Sequence, residues 1–212
     1  MTVHALDRMR TARIPGGVHG FPTLPPADTQ IGDTVARTYT EGTSLYADML
    51  EAIEGATHHI YFETFIWRSD RWGQRFKTAL IDAAKRGVET IIIMPHIPDK
   101  EYAFLLAKAH YEELIRAGVQ IYEYTPGFVH AKVFTSDDEK AVVGTINMDY
   151  RSLYLHFECA AYIYRNEVIK DVERDFKETL AKSQVITLEE CRHYPWYKKF
   201  AGRVLRLFAP LM

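Results

Sequence analysis

The apolar positions along this chain change period several times, and the changes mark out its elements. Leu45, Met49, Leu50 and Ile53 recur at helical spacing behind Thr43 and Ser44, either of which can cap, and Gly55 stops the run. Residues 59–67 are apolar and aromatic at consecutive positions, which predicts a strand internal to a sheet. Phe76, Leu80, Ile81 and Ala84 return to helical spacing and end at Gly87, and residues 90–94 form a strand closed by Pro95. Residues 102–117 then predict a helix stopped by Gly118, and residues 119–124 a strand stopped by Pro126 and Gly127. The arrangement Arg-Gly-Val, strand, Pro at 86–95 recurs as Arg-Ala-Gly-Val, strand, Pro at 116–126. Two successive helix-to-strand units predict an α/β fold with a mixed, mostly parallel sheet flanked by helices. Residues 35–39 suit a short edge strand, residues 156–164 a final strand. Residues 168–182 suit a helix with Val168, Val172, Phe176 and Leu180 at spacing four.

The two ends read differently. Pro15, Gly16, Gly17, Pro22, Pro25 and Pro26 forbid regular helix across residues 1–34, which are expected to form an irregular arm. The folded domain is expected over residues 35–190. In the tail, residues 191–212, Trp196, Tyr197, Phe200, Leu205 and Phe208 alternate with Lys198, Lys199, Arg203 and Arg206. That composition suits an interfacial membrane helix, and equally a helix docked on the domain or on a partner subunit.

Composition narrows the function. The 212 residues are 47% hydrophobic and 25% charged, enough for one domain with a full core. The formal net charge of −2 speaks against a nucleic-acid partner, which usually demands a basic excess. Two cysteines, Cys159 and Cys191, are no disulfide scaffold, and Cys159 in its apolar run is expected in the core. No metal-ligand spacing is visible. No stretch approaches the ~20 apolar residues of a membrane span, and no secretory signal is visible.

The stretch from 127 to 158 carries the candidate chemistry. Side chains alternate along a strand, so His130 and Lys132 are expected on one face. Residues 135–139 form a turn, and Ala141, Val142 and Val143 begin the return strand. Thr145 and Asn147 share a face beyond Gly144. The hairpin can thus gather an imidazole, an ammonium, a hydroxyl and a carboxamide: one nucleophile and several donors to an oxyanion.

With Asp137 five residues after Lys132, this stretch resembles the HxKxxxxD motif of the phospholipase D superfamily. Its trailing GTxNxDxRS and Phe-Glu elements match at Gly144, Thr145, Asn147, Asp149, Arg151, Ser152 and Glu158, and within the superfamily the likeness is to bacterial cardiolipin synthases. Members commonly have Asn before the Phe-Glu pair; here His156 stands there. Residues 45–89 resemble the opening of the first repeat of a two-repeat synthase, and residues 91–164 the closing part of the second. The resemblance implies a single phospholipase D-like repeat. It implies His130 as the nucleophile on phosphorus, forming a phospho-histidine. Lys132 and Asn147 would hold the non-bridging oxygens, Thr145 would add a hydroxyl, and Glu158 would orient the imidazole. Asp137 would orient the hairpin or neutralise Lys132, and Asp149, Arg151 and Ser152 would shape the loop. It implies no cofactor and no metal.

The substrate implied is phospholipid, namely phosphatidylglycerol, converted to cardiolipin or hydrolysed by a peripheral protein at the cytoplasmic face of the membrane. Synthases of this kind often carry N-terminal membrane helices, and none is expected in this chain. The chemistry needs two histidines at one phosphorus, which implies a homodimer sharing one site. His96, at a strand end, is the internal alternative. Phosphodiester cleavage of nucleic acid and a catalytically incompetent membrane scaffold are the competing readings.

Overall fold

Asp70 starts a helix because its carboxylate accepts from the Gly73 amide at 2.9 Å, and Thr187 and Glu190 cap another reciprocally. In all, the computed structural model describes residues 25–32, 34–68, 70–97, 101–149, 152 and 158–195. The helices are α1 (Gly42–Gly55), α2 (Arg71–Lys85), α3 (Glu101–Arg116), α4 (Val168–Leu180) and α5 (Leu188–His193). The strands are β1 (Ala27–Ile31), β2 (Thr34–Thr38), β3 (His59–Glu63), β4 (Glu89–Pro95), β5 (Gln120–Tyr124), β6 (Val133–Ser136), β7 (Lys140–Gly144), β8 (Ala160–Tyr164) and β9 (Ser183–Val185). They form one nine-stranded sheet in the order β1-β2-β8-β7-β6-β3-β4-β5-β9.

The sheet is an α/β sheet flanked by helices, as expected, but parallel pairing is the minority. β3, β4 and β5 are parallel neighbours joined through α2 and α3, and the other six ladders are antiparallel. The three-residue turn between β6 and β7 is too short for a crossover, so those strands must run antiparallel. Helices α1 to α3 cover one face. Tyr46, Leu50, Phe76, Leu80 and Leu114 there pack with Ile60, Phe62, Ile92 and Phe134 from the sheet. Helix α4 covers part of the other face, with Phe176 stacked on Tyr61 at 4.8 Å.

Several boundaries differ from the expectation. Residues 27–31, read as irregular, form β1, and β2 therefore lies inside the sheet rather than at its edge. Alternation gives no signal because the described side chains of β1 are exposed; Asp28, paired with Arg37 of β2 at 2.6 Å, helps hold it. β9 has three residues, too few to show a period. β3 ends at Glu63, four residues early: the Thr64 amide still donates to Ile93 of β4, but Ile66 and Arg68 bond the segment after β7 instead. β8 begins at Ala160, and Cys159, expected in the core, is exposed. Its backbone, not its side chain, is engaged: its amide and carbonyl both bond Thr145. The arm up to residue 24 and the tail from residue 196 lie outside the described residues.

Candidate active site

The site lies where β3 ends and β6 begins. These antiparallel neighbours pair Glu63 with Val133, so the residues after β3 and before β6 emerge at one end of the sheet. His130 and Lys132 lie in the extended run just ahead of β6, not within its ladder. The His130 side chain is exposed. Its ring packs against Phe65 at 4.6 Å and lies nearly parallel to Phe128, at 6.0 Å and 14°. The Lys132 side chain is buried and turns back, so that Nζ donates to the carbonyl oxygen of His130 at 2.6 Å. Nζ also lies 5.2 Å from the centre of the Phe65 ring. Burial pushes the Lys132 ammonium down to about 8, and the charge of Glu158 opposes that shift.

The return strand supplies the other groups. Gly144 is required where β7 meets the start of β8: a Cβ there would lie 2.3 Å from the Cys159 carbonyl oxygen and 2.5 Å from the Ala160 Cβ. Thr145, the next residue, donates its hydroxyl to the Glu158 carboxylate and accepts from the Cys159 amide at 3.0 Å. Asn147 is clamped. Its carboxamide oxygen accepts from the Ile66 amide at 3.2 Å, its nitrogen donates to Ser152 Oγ at 3.4 Å, and its backbone carbonyl accepts from the buried Tyr46 hydroxyl. Trp67 and Met148 form a parallel bridge beside it. Asp149 is buried, 3.3 Å from Arg68 Nε, and accepts from the Ser152 amide at 2.7 Å. The segment after β7 is thus welded to the segment after β3, holding the Asn147 carboxamide nitrogen in a fixed place. Arg151 and His156 lie outside the described residues.

Asp137 stands apart from this group. It closes the β6–β7 turn at φ 55°, the length of β6 away from Lys132, or roughly 15 Å at ~3.3 Å per residue. That is too far to neutralise the lysine. Its carboxylate instead accepts from the amides of Thr57 at 2.8 Å and of His58 and His59 at 2.9 Å, and from the Thr57 hydroxyl at 3.2 Å. It pins the hairpin to the start of β3. Burial alone would raise its pKa, but these bonds together win and hold it below the usual carboxylate range. A depressed carboxylate contributes stability above its unfolded pKa, and that contribution is lost as pH falls through the folded value. Asp137→Ala is expected to cost about 2 kcal/mol at neutral pH, of the order of charge-assisted bonds lost. The cost should shrink toward zero at strongly acidic pH, which urea melts across pH would read. A pH-independent cost would contradict the charged role.

Other titratable residues fall elsewhere. His96 does not join the site; its ring bonds Glu123 beyond the end of β4. His59, Asp138 and Glu173 bring one ligand atom each within 4.8 Å, the grouping among the described residues that could hold a metal ion. They lie at the opposite end of β3 from the site. Glu173 is already met there by His59 at 2.8 Å and Lys177 at 3.7 Å. The residues come from distant parts of the chain, so no sequence spacing announces them. Phe65 and Arg68 are neighbours of the site that the pattern did not single out. Phe65 reads as one more strand residue. Arg68 has an ordinary surface residue's sequence context, and only its burial at 3% exposure marks it.

No helix among the described residues is long and apolar enough to cross a membrane. The family described as "Cardiolipin synthase, PLD-like domain" matches residues 49–180. An uncharacterized protein of Streptococcus mutans is 48% identical over 171 residues, 81% of this chain and 36% of that protein. A cardiolipin synthase of Halalkalibacterium halodurans is 38% identical over 135 residues, 64% of this chain and 27% of the synthase. The chain thus spans about a third of the first relative's length and about a quarter of the second's. Among solved structures, the phospholipase D family member Nuc from Salmonella typhimurium superposes with a TM-score of 0.57 at 18% identity, over 66% of this chain and 89% of Nuc. Phosphatidylserine synthase from Haemophilus influenzae gives 0.60 at 14% identity, over 79% of this chain and 42% of the synthase. Those two likenesses concern the fold. With the family match covering more than half of its residues, this chain belongs to the cardiolipin synthase family of phospholipase D-like domains.

Proposed function

We propose that the chain is a phosphatidyltransferase of the cardiolipin synthase type that works through a phospho-histidine at His130. The observation that carries this reading is the site's grouping. An exposed imidazole is backed by a buried ammonium, a hydroxyl and a clamped carboxamide follow on the same hairpin, and the Glu158 carboxylate, just ahead of β8, accepts from that hydroxyl. The neutral His130 ring attacks the phosphorus of phosphatidylglycerol. The bond to the glycerol oxygen breaks, and glycerol leaves with a proton from a general acid. The free hydroxyl of a second phosphatidylglycerol then attacks the phospho-histidine, giving up its proton and releasing His130. The net products are cardiolipin and glycerol. Water in place of the second lipid gives phosphatidic acid.

Lys132 and Asn147 stabilise the non-bridging oxygens as charge gathers there. The ammonium has three N–H groups, and one is spent on the His130 carbonyl, so the others remain for phosphate. Glu158, in reach of Lys132's charge and of Thr145, takes the role of orienting the imidazole. Phe65 and Phe128 shield the ring and offer apolar surface to lipid. The acid for the departing glycerol is a second His130 from a homodimer, whose two-fold axis would pass near the phosphate. Thin-layer analysis of products from labelled phosphatidylglycerol tests the reaction. Diphosphatidyl product supports transfer, and phosphatidic acid supports hydrolysis. No turnover by folded protein supports a scaffold, and cleavage of nucleic acid instead would replace the reading.

Peripheral binding at the cytoplasmic face of the membrane is assigned to the basic and aromatic residues 196–212. Deleting them is expected to weaken co-sedimentation with anionic vesicles, more so at low salt. Unchanged sedimentation of a folded truncation would place membrane contact elsewhere.

A further inference from the structure

A second cavity opens two strands away from the candidate site. It lies between α3 and α5, over β5 and β9, and has a volume of about 220 Å³. None of the described residues lining it lines the small pocket beside Lys132. Leu105, Ala109 and Ile186 give it aliphatic walls. Its charge is acidic. Among the described residues, Glu112, Glu123 and Glu190 line it against a single lysine, Lys108. That ammonium lies 3.2 Å from buried Glu123, which also accepts from His96 at 2.9 Å and from Tyr111 OH at 3.2 Å, so the floor is satisfied within itself. The other two carboxylates stand at the rim. Glu112 is part exposed and pairs with Arg116, and Glu190 is held ionised by the Thr187 amide at 2.7 Å. An apolar slot with an acidic rim fits a segment that is apolar and basic at once.

The chain itself supplies such a segment, and supplies it at this slot. Tyr194, the residue after α5, lines the cleft, with its ring 5.1 Å from Lys108 Nζ. Its ψ of 132° has already left the helix, and Pro195 after it has no amide with which to continue the turn. The next five residues are Trp196, Tyr197, Lys198, Lys199 and Phe200, three aromatic rings and two ammonium groups. At ~3.5 Å per residue they reach no further than about 18 Å from the rim. A tether that short gives an effective concentration in the millimolar range, so even a weak contact is well populated. We propose that residues 196–200 dock on this cleft, with an aromatic ring between Leu105, Ala109 and Ile186 and with Lys198 and Lys199 facing Glu112 and Glu190. The membrane contact assigned above then falls to the residues beyond, among them Arg203, Leu205, Arg206 and Phe208. The docking is independent of the phosphatidyl transfer proposed above.

Cys191 reports on the cleft because it lines it, and Cys159→Ser removes the other, exposed thiol. In the full chain carrying that substitution, alkylation of Cys191 by the neutral reagent iodoacetamide is expected to be slow. Replacing Trp196, Tyr197 and Phe200 together by Ser leaves every charge in place and should speed alkylation about tenfold or more, as the docked fraction is lost. Circular dichroism should show the fold intact. Glu112→Lys tests the rim from the other side. It should speed alkylation several-fold in the parent and add little in the triple-Ser chain, where nothing remains to release. Because a new cation also acts on the thiolate directly, that comparison separates release of the tail from a local charge effect. Equal rates in the parent and the triple-Ser chain would overturn the proposal. So would a Glu112→Lys effect of the same size in both backgrounds. Protection that fades on dilution would place the tail of a second copy in the cleft and overturn docking within one chain.

Discussion

His130→Ala is expected to reduce phosphatidyl transfer by roughly 10⁴-fold or more, since removing the proposed nucleophile leaves only the oxyanion donors and binding. The exposed ring contacts Phe65 and Phe128, so its loss should leave the melting temperature close to the parent's. Near-normal product from a folded variant would remove His130 from the mechanism. Lys132 makes a sharper companion test because its charge costs stability. Burial lowers its folded pKa from 10.5 to about 8. Below about 8 the ammonium is held at a penalty, and between about 8 and 10.5 the unfolded chain binds more protons than the folded one. Stability from this group therefore rises with pH through that window. Lys132→Met should melt no lower than the parent at neutral pH while kcat falls by ~10²–10³, of the order of a lost oxyanion donor. The parent's kcat/KM should decline as pH rises through about 8, where the free enzyme loses the ammonium. A flat profile through pH 9, or a loss confined to KM, would contradict the assignment.

Mixing subunits is expected to give a quadratic loss of activity. If two copies each supply one His130 to a shared phosphate, a dimer of parent and His130→Ala holds a single histidine and is nearly inactive. After free exchange, activity follows the square of the parent fraction, roughly a quarter at equal mixing. In such a shared site the two histidines would be equivalent before substrate binds; the neutral one would attack and the other donate. A linear fall to about half would mean that each subunit works alone. A fully active species that sediments as a monomer would equally remove the shared site. His96 could not then step in as it stands, because its ring is bonded to Glu123 at 2.9 Å on the floor of the other cleft.

Much of the candidate site was legible because its groups sit at short, fixed offsets. His130, Lys132, Thr145 and Asn147 are brought to one hairpin by the turn between β6 and β7. That turn is marked by Asp137 and Asp138, both at positive φ. The buried strands β3 and β4 announced themselves by runs of apolar residues. What stayed hidden depends on distant partners. β1 is an exposed polar strand paired with β2 and helped by an ion pair, so it carries no hydrophobic period. The early end of β3 follows from the Ile66–Asn147 bond, between residues 81 apart. Asp137 showed its place in the motif but not its targets, three amides that precede it by about 80 residues.

Those same separations govern when the site can exist. Tyr46 reaches Asn147 across 101 residues, Ile66 across 81, and Thr57 reaches Asp137 across 80. Each closure costs chain entropy before any contact repays it, and contacts of this range form slowly. Among the described residues, the segment that carries Asn147 lies outside the named strands and is held by the loop after β3, by Ser152 and Cys159, and by the Tyr46 hydroxyl of α1. A chain that has assembled α1 through β5 but not its β6–β8 meander has most of its hydrophobic core and no carboxamide in place. The candidate site is thus a property of the completed sheet. During refolding it should arrive with the slowest phase, after compaction and helix content have already recovered.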